Sequence, residues 1–169
     1  MPKSRIVGYI SAVFYPFCLV FGLYIILHGH LTPGGGFQGG AVMATGAALM
    51  MVSGMFNAPE RESQYPRYKA CEAFGLLLFV ALAFLGLTSS GTFFYNTLAH
   101  AGHGLFGTPV PTGSNPGFFN TGGVIPLMNL AVGVEVFGGI SVILITMIRA
   151  MKQASEEDEA PAAPEEKPQ

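Results

Sequence analysis

The segment "LHGHLTPGGGFQGGAVMA", residues 27–44, sets two histidines, a proline and three consecutive glycines between two apolar runs. Pro33 has no backbone N–H to donate and glycine tolerates positive φ, so a helix arriving from the N-terminal side ends near His30. A second helix then starts within the triple glycine, and its unsatisfied first-turn N–H groups carry the positive end of the helix dipole. Down that helix Gly36, Gly40, Ala44 and Ala48 recur every four residues. Such a stripe of small side chains lets another helix approach closely. The segment therefore reads as the tight corner of a helical hairpin.

The flanks of the corner decide what solvent the hairpin lives in. Residues 6–27 run for 22 positions without a charge, about 33 Å of helix, which matches the hydrocarbon thickness of a bilayer. Further runs cover 36–56, 73–90 (beginning about a turn earlier) and 124–148, the last uncharged except for Glu135. Half of the 169 residues are hydrophobic and 11% are charged, against about a quarter charged in a soluble domain. The expected fold is an all-α integral membrane protein with four transmembrane helices. The first run is too long for a removable signal peptide and has no small-residue cleavage site.

Charge sets the topology. Lys3 and Arg5 precede the first run; Arg61, Arg67 and Lys69 lie between the second and third; Arg149, Lys152 and Lys167 follow the fourth. The other two connections hold no Lys or Arg, so the positive-inside rule puts both termini in the cytoplasm, in the cell membrane. Residues 1–150 are then the membrane domain, and 151–169 an acidic, Pro/Ala-rich tail expected to be disordered. The outer connection 91–123 is long, uncharged and carries five phenylalanines. It is expected to be buried against another protein, with at most a short helix over 92–102. A net charge of −2 offers no basic surface for nucleic acid.

Chemistry-bearing residues are few. Cys18 and Cys71 lie far apart in apolar surroundings and read as small core residues. His28, His30, His100 and His103 all fall on the outer side, where imidazoles could exchange protons at the mouth of an ion path. With no cysteine or outer carboxylate to complete a ligand set, no metal site is expected, and no cofactor motif is present. Glu135 sits mid-run, where an acidic side chain costs about 2.5–3.5 kcal/mol to insert. Ala131, Gly138 and Gly139 lie one turn either side of it, so that face should meet protein. A carboxylate is also the hard oxygen ligand that an alkali cation favours. Glu72, at the start of the third run, suits either the helix dipole or the cytoplasmic entrance of an ion path. Asn129 lies about 120° from Glu135 around the helix and is expected to cap or crosslink helices.

The wording "GHLTPGGGFQGGAVMA", with "GGVIPLMNLAVGVEVFGG" downstream, resembles the B-subunit family of multisubunit Na+/H+ antiporters, the Mrp or Mnh type. It is also similar to the counterpart subunit of membrane-bound hydrogenases and related respiratory complexes that contain an Mrp-like module. The resemblance covers residues 6–150. It implies a non-catalytic four-span subunit that works with other Mrp-type antiporter subunits, alone or alongside hydrogenase or other redox subunits, to move Na+ and H+ across the lipid bilayer. Pro33, Gly34, Gly35, Gly36, Phe37, Gly39 and Gly40 match the family's signature turn; Asn129, Gly133 and Gly139 match its last span. Two other readings stand beside it: a purely structural spacer, for which a mid-membrane Glu135 is wasteful, and a small metal- or redox-sensing membrane protein built on the histidines.

Overall fold

The computed structural model describes residues 5–100, 107–109, 118 and 120–159. Among these, four long helices follow one another: α1 (Arg5–Leu27), α2 (Gly35–Val52), α3 (Ala58–Ser90) and α4 (Ile125–Glu159), with a short 3-10 turn, Thr97–His100, before α4. Each long helix is apolar and long enough to cross a bilayer. The chain is a multi-pass, all-helical membrane protein with a long connection between α3 and α4, as the hydropathy pattern requires.

The helices pack in the order α1, α2, α4, α3, with α4 between α2 and α3 and only a slight contact between α1 and α4. Lipid tails are as apolar as leucine, so close backbone approach has to supply the attraction between helices. Glycine supplies it at all three seams. A Cβ on Gly39 would lie 2.5 Å from the Gly22 carbonyl oxygen, one on Gly40 2.6 Å from that of Gly133, and one on Gly75 2.6 Å from that of Ala131. The stripe read from the sequence, Gly36, Gly40 and Ala44, faces α4 at its first two members. Ala44 is fully buried, whereas Ala48 is half-buried. A second stripe on α2, Gly39 and Gly46 against Gly22 and Cys18 of α1, escaped the sequence reading.

Four boundaries differ from expectation. α1 ends at Leu27, a turn early, because the Leu31 and Thr32 N–H groups donate back to the His28 carbonyl at 2.8 and 3.1 Å and close the chain into turns. α2 stops at Val52, four residues before the apolar run does, where Gly54 takes a φ of 76°. α3 starts at Ala58, about fifteen residues before the hydrophobic stretch. The cause is a capping box: the Asn57 side chain accepts the Glu60 N–H at 3.2 Å, and the Glu60 carboxylate accepts the Asn57 N–H at 3.0 Å. Arg61, Arg67 and Lys69 therefore sit on a helix, not in a loop. Finally, α4 runs on to Glu159, so residues 151–159 are helical where an unstructured tail was expected. One-turn pairs, Lys152–Glu156 at 3.3 Å and Gln153–Glu157 at 3.1 Å, support those turns. Residues 160–169 lie outside the described part.

One end of the bundle gathers the basic groups. Arg149 makes a two-point contact to Glu62, at 2.8 and 2.5 Å, and covers the Tyr65 ring at 4.2 Å. Gly8 of α1 meets Met55 at the same end. At the other end, residues 92–96 form no α-helix. Instead they fold back on α3: the Phe94 N–H donates to the Ala83 carbonyl at 3.1 Å, and Phe93 and Phe94 pack edge-on and tilted against Phe84 and Phe79. Asn96 ties this segment to α4, donating to the Gly122 carbonyl at 3.0 Å and accepting the Val124 N–H at 2.7 Å.

Candidate functional site

Glu135 and Glu72 both lie at the α3–α4 seam. Gly75 of α3 lies directly on the Glu135 backbone, its absent Cβ leaving 2.6 Å to the Glu135 nitrogen and 2.7 Å to the Glu135 Cβ. Three residues away on α3, the Glu72 nitrogen faces Gly138, while its Oε1 lies 3.6 Å from where a Gly139 Cβ would be. The two residues thus stand on facing helices about one turn apart. Both are half-buried, and neither makes a hydrogen bond or ion pair with another described residue.

This register moves Glu72 inward. In the sequence it borders a span and could serve the dipole of a helix beginning there. In the structure α3 begins at Ala58 and its first turn is already served by Glu60. Glu72 is level with Gly138, eleven residues from Arg149 on α4, and on α3 it follows Lys69 by three residues, about 5 Å. Glu135 lies about 5 Å deeper, near the middle of a hydrocarbon core about 30 Å thick. The helix-dipole explanation for Glu72 fails because α3 begins fourteen residues before it.

The signature turn closes the opposite end. Gly34 and Gly35 take φ of 118° and 52°, and no side chain caps α2. Asn129 of α4 is clamped by this turn. A Cβ on Gly29 would lie 2.8 Å from its Nδ2, and one on Gly35 2.8 Å from its Oδ1. The Asn129 Nδ2 is buried without a hydrogen-bond partner among the described residues, as are His30 Nδ1 and Ser141 Oγ. Gly133 makes room for Ile26, and Gly138 for the Tyr68 carbonyl. Pro33 is exposed and Phe37 points away from the bundle, 62% exposed.

His28 and His30, the two histidines whose side chains are described, make separate contacts. His28 hydrogen-bonds the Tyr24 carbonyl through Nδ1 at 2.8 Å and lies against the Tyr24 ring. His30 donates from Nε2 to the Phe118 carbonyl at 3.3 Å, bracing the corner against the outer loop. His100 ends the 3-10 turn; its side chain and all of His103 lie outside the described part. Sequence reading missed Gly75 and Ser141. The signal for Gly75 was present, one of two glycines, with Gly86, inside an apolar run of helical length; a serine in such a run carries none.

The comparisons agree with this architecture. Residues 6–142 match the family model described as a domain related to the MnhB subunit of Na+/H+ antiporters. An uncharacterised protein of Methanocaldococcus jannaschii is 33% identical over 120 residues, 71% of this chain and 43% of that protein. A Staphylococcus epidermidis protein, provisionally named antiporter subunit mnhB2 and found in two strains, is 33% identical over 90 residues, 53% of this chain and 62% of that protein. The chain thus spans less than two thirds of the length of these relatives. With four apolar helices, the glycine corner and a match over most of its membrane-spanning part, the chain belongs to the family of domains related to the MnhB subunit of Na+/H+ antiporters.

Proposed function

We propose that this chain is a non-catalytic membrane subunit of an Mrp-type Na+/H+ antiporter module, and that its α3–α4 seam lines part of the sodium or proton path. One observation carries the second half: Glu72 and Glu135 stand on facing helices about a turn apart, Glu135 in mid-span, with no hydrogen-bond or ion-pair partner among the described residues. A carboxylate at the centre of a transmembrane helix costs about 2.5–3.5 kcal/mol, so residues of this kind face protein or a water-filled cavity. Two hard oxygen donors in such a place fit an alkali cation or a proton relay. A spacer would gain nothing from either charge. His28 and His30 at the opposite end are placed to exchange protons at the outer mouth. The partners in this reading are the other Mrp-type subunits, in a stand-alone antiporter or joined to hydrogenase or other redox subunits. The basic end faces the cytoplasm under the positive-inside rule.

The seam must then be wet from the cytoplasmic side. With Cys18 and Cys71 replaced by serine, Glu72→Cys in the assembled complex should react with a membrane-impermeant thiol reagent applied from that side. Sodium should slow the reaction. A thiol that stays unreactive in intact complex would mean the seam is dry and the path runs elsewhere.

A further inference from the structure

We infer that the open flank of the α3–α4 seam is an assembly interface, covered in the working complex by a transmembrane helix of a different subunit that brings a lysine, arginine or histidine side chain to Glu135. This goes beyond the ion-path reading and stands without it, since it needs only that Glu135 lies within the bilayer. α3 is the outer helix of the row, packed on α4 along one side. On the flank that carries Glu72 and Glu135, Leu76 and Ile143 are 51% and 58% exposed. Leu76 follows Glu72, and Ile143 follows Gly139, by one helical turn.

Charge complementarity identifies the occupant. Described cationic side chains of this chain cannot serve Glu135. Arg149 is held by Glu62, and Arg5, Arg61 and Lys152 lie at the basic end of the bundle. Arg67 and Lys69 are exposed and flank the buried Tyr68, which faces α4 in their place. Lipid tails offer no counter-charge and no hydrogen bond, so a carboxylate left facing them is unfavourable, whereas one facing a cation on a neighbouring helix is compensated. Gly139 adds an independent observation. Gly138 is pressed against α3 backbone, but among the described residues a Cβ on Gly139 would meet nothing nearer than Glu72 at 3.6 Å. Packing among the described residues does not require this glycine. Beside Glu135 it leaves a recess that lets a helix from another subunit come close.

A photo-crosslinking amino acid in place of Leu76, in the complete complex in native membranes, reads the occupant directly. Mass spectrometry of the adduct should find a transmembrane segment of another subunit, with Lys, Arg or His within a turn of the crosslinked position. Adding Glu135→Gln should lower the crosslink yield several-fold in detergent, and replacing the partner's basic residue by leucine should restore it. Adducts to lipid alone, to a second copy of this chain, or to a segment without a basic residue would overturn the inference. Should the Leu76 variant fail to assemble, the same crosslinker at Ile143 reads the flank from α4. Because transport is not measured, this result is independent of whether the seam conducts ions.

Discussion

Glu135→Gln is expected to leave the complex assembled in the membrane and to cut sodium-coupled transport per assembled complex by about tenfold to a hundredfold. Glutamine keeps the volume of the side chain and its capacity to hydrogen-bond, so Gly75 still closes on the same backbone and no cavity opens. Only the ionisable charge is lost. Contacts to a charged group contribute about 1.5–3 kcal/mol, and about 1.4 kcal/mol changes a rate tenfold, which sets the size of the effect. If Glu135 were instead a protonated hydrogen-bonder between helices, glutamine would serve equally well. The harmful change would then be Glu135→Ala, through a void and an orphaned partner. Sodium uptake into sealed vesicles, normalised to assembled complex, separates the two. Wild-type uptake in the glutamine variant reduces Glu135 to a packing residue.

Gly40→Leu should act on assembly. A first carbon at this position already lies 2.6 Å from the Gly133 carbonyl oxygen and 2.9 Å from the Val136 Cβ. The obstacle is backbone on a central helix, which cannot rotate aside as a flexible side chain would. Overpacking of this kind costs about 1–3 kcal/mol, and backbone contact puts it at the upper end. α2 would separate from α4, and the clamp on Asn129 at the corner would loosen with it. Membrane insertion depends on hydropathy and should continue, while the complex recovered in mild detergent falls several-fold. Full recovery with normal transport would mean that α2 and α4 are not packed through Gly40.

The sequence showed most of the fold because a bilayer leaves few alternatives: charge-free runs of about twenty residues become helices, and glycine with proline marks the corner between two of them. The misreadings share one cause. Hydropathy marks where a helix enters lipid, not where it begins, so the capped turns of α3 before the apolar run were read as loop although Asn57 and Glu60 stood at capping-box spacing. That error hid how far Glu72 lies from the start of its helix. Glu135 was legible by itself, as a charge where none should be. Its company was not, because the pairing of Gly75 with Ala131 and Glu135 is a matter of register between helices, and register leaves no periodic mark in a single chain. The second glycine stripe of α2, facing α1, was hidden by the first; with glycine on two faces, either could be the packing one.

The claim at the centre is that Glu72 and Glu135 act as one site, and a double-variant cycle tests it most directly. Sodium uptake would be measured in sealed vesicles holding equal amounts of assembled complex with Glu72→Gln, with Glu135→Gln and with both. Residues that share one ion or one proton relay are strongly non-additive. Each single variant should therefore be impaired, and the double variant no slower than the slower of the two. Losses that multiply as independent effects, or single variants that transport at the wild-type rate, would contradict the account.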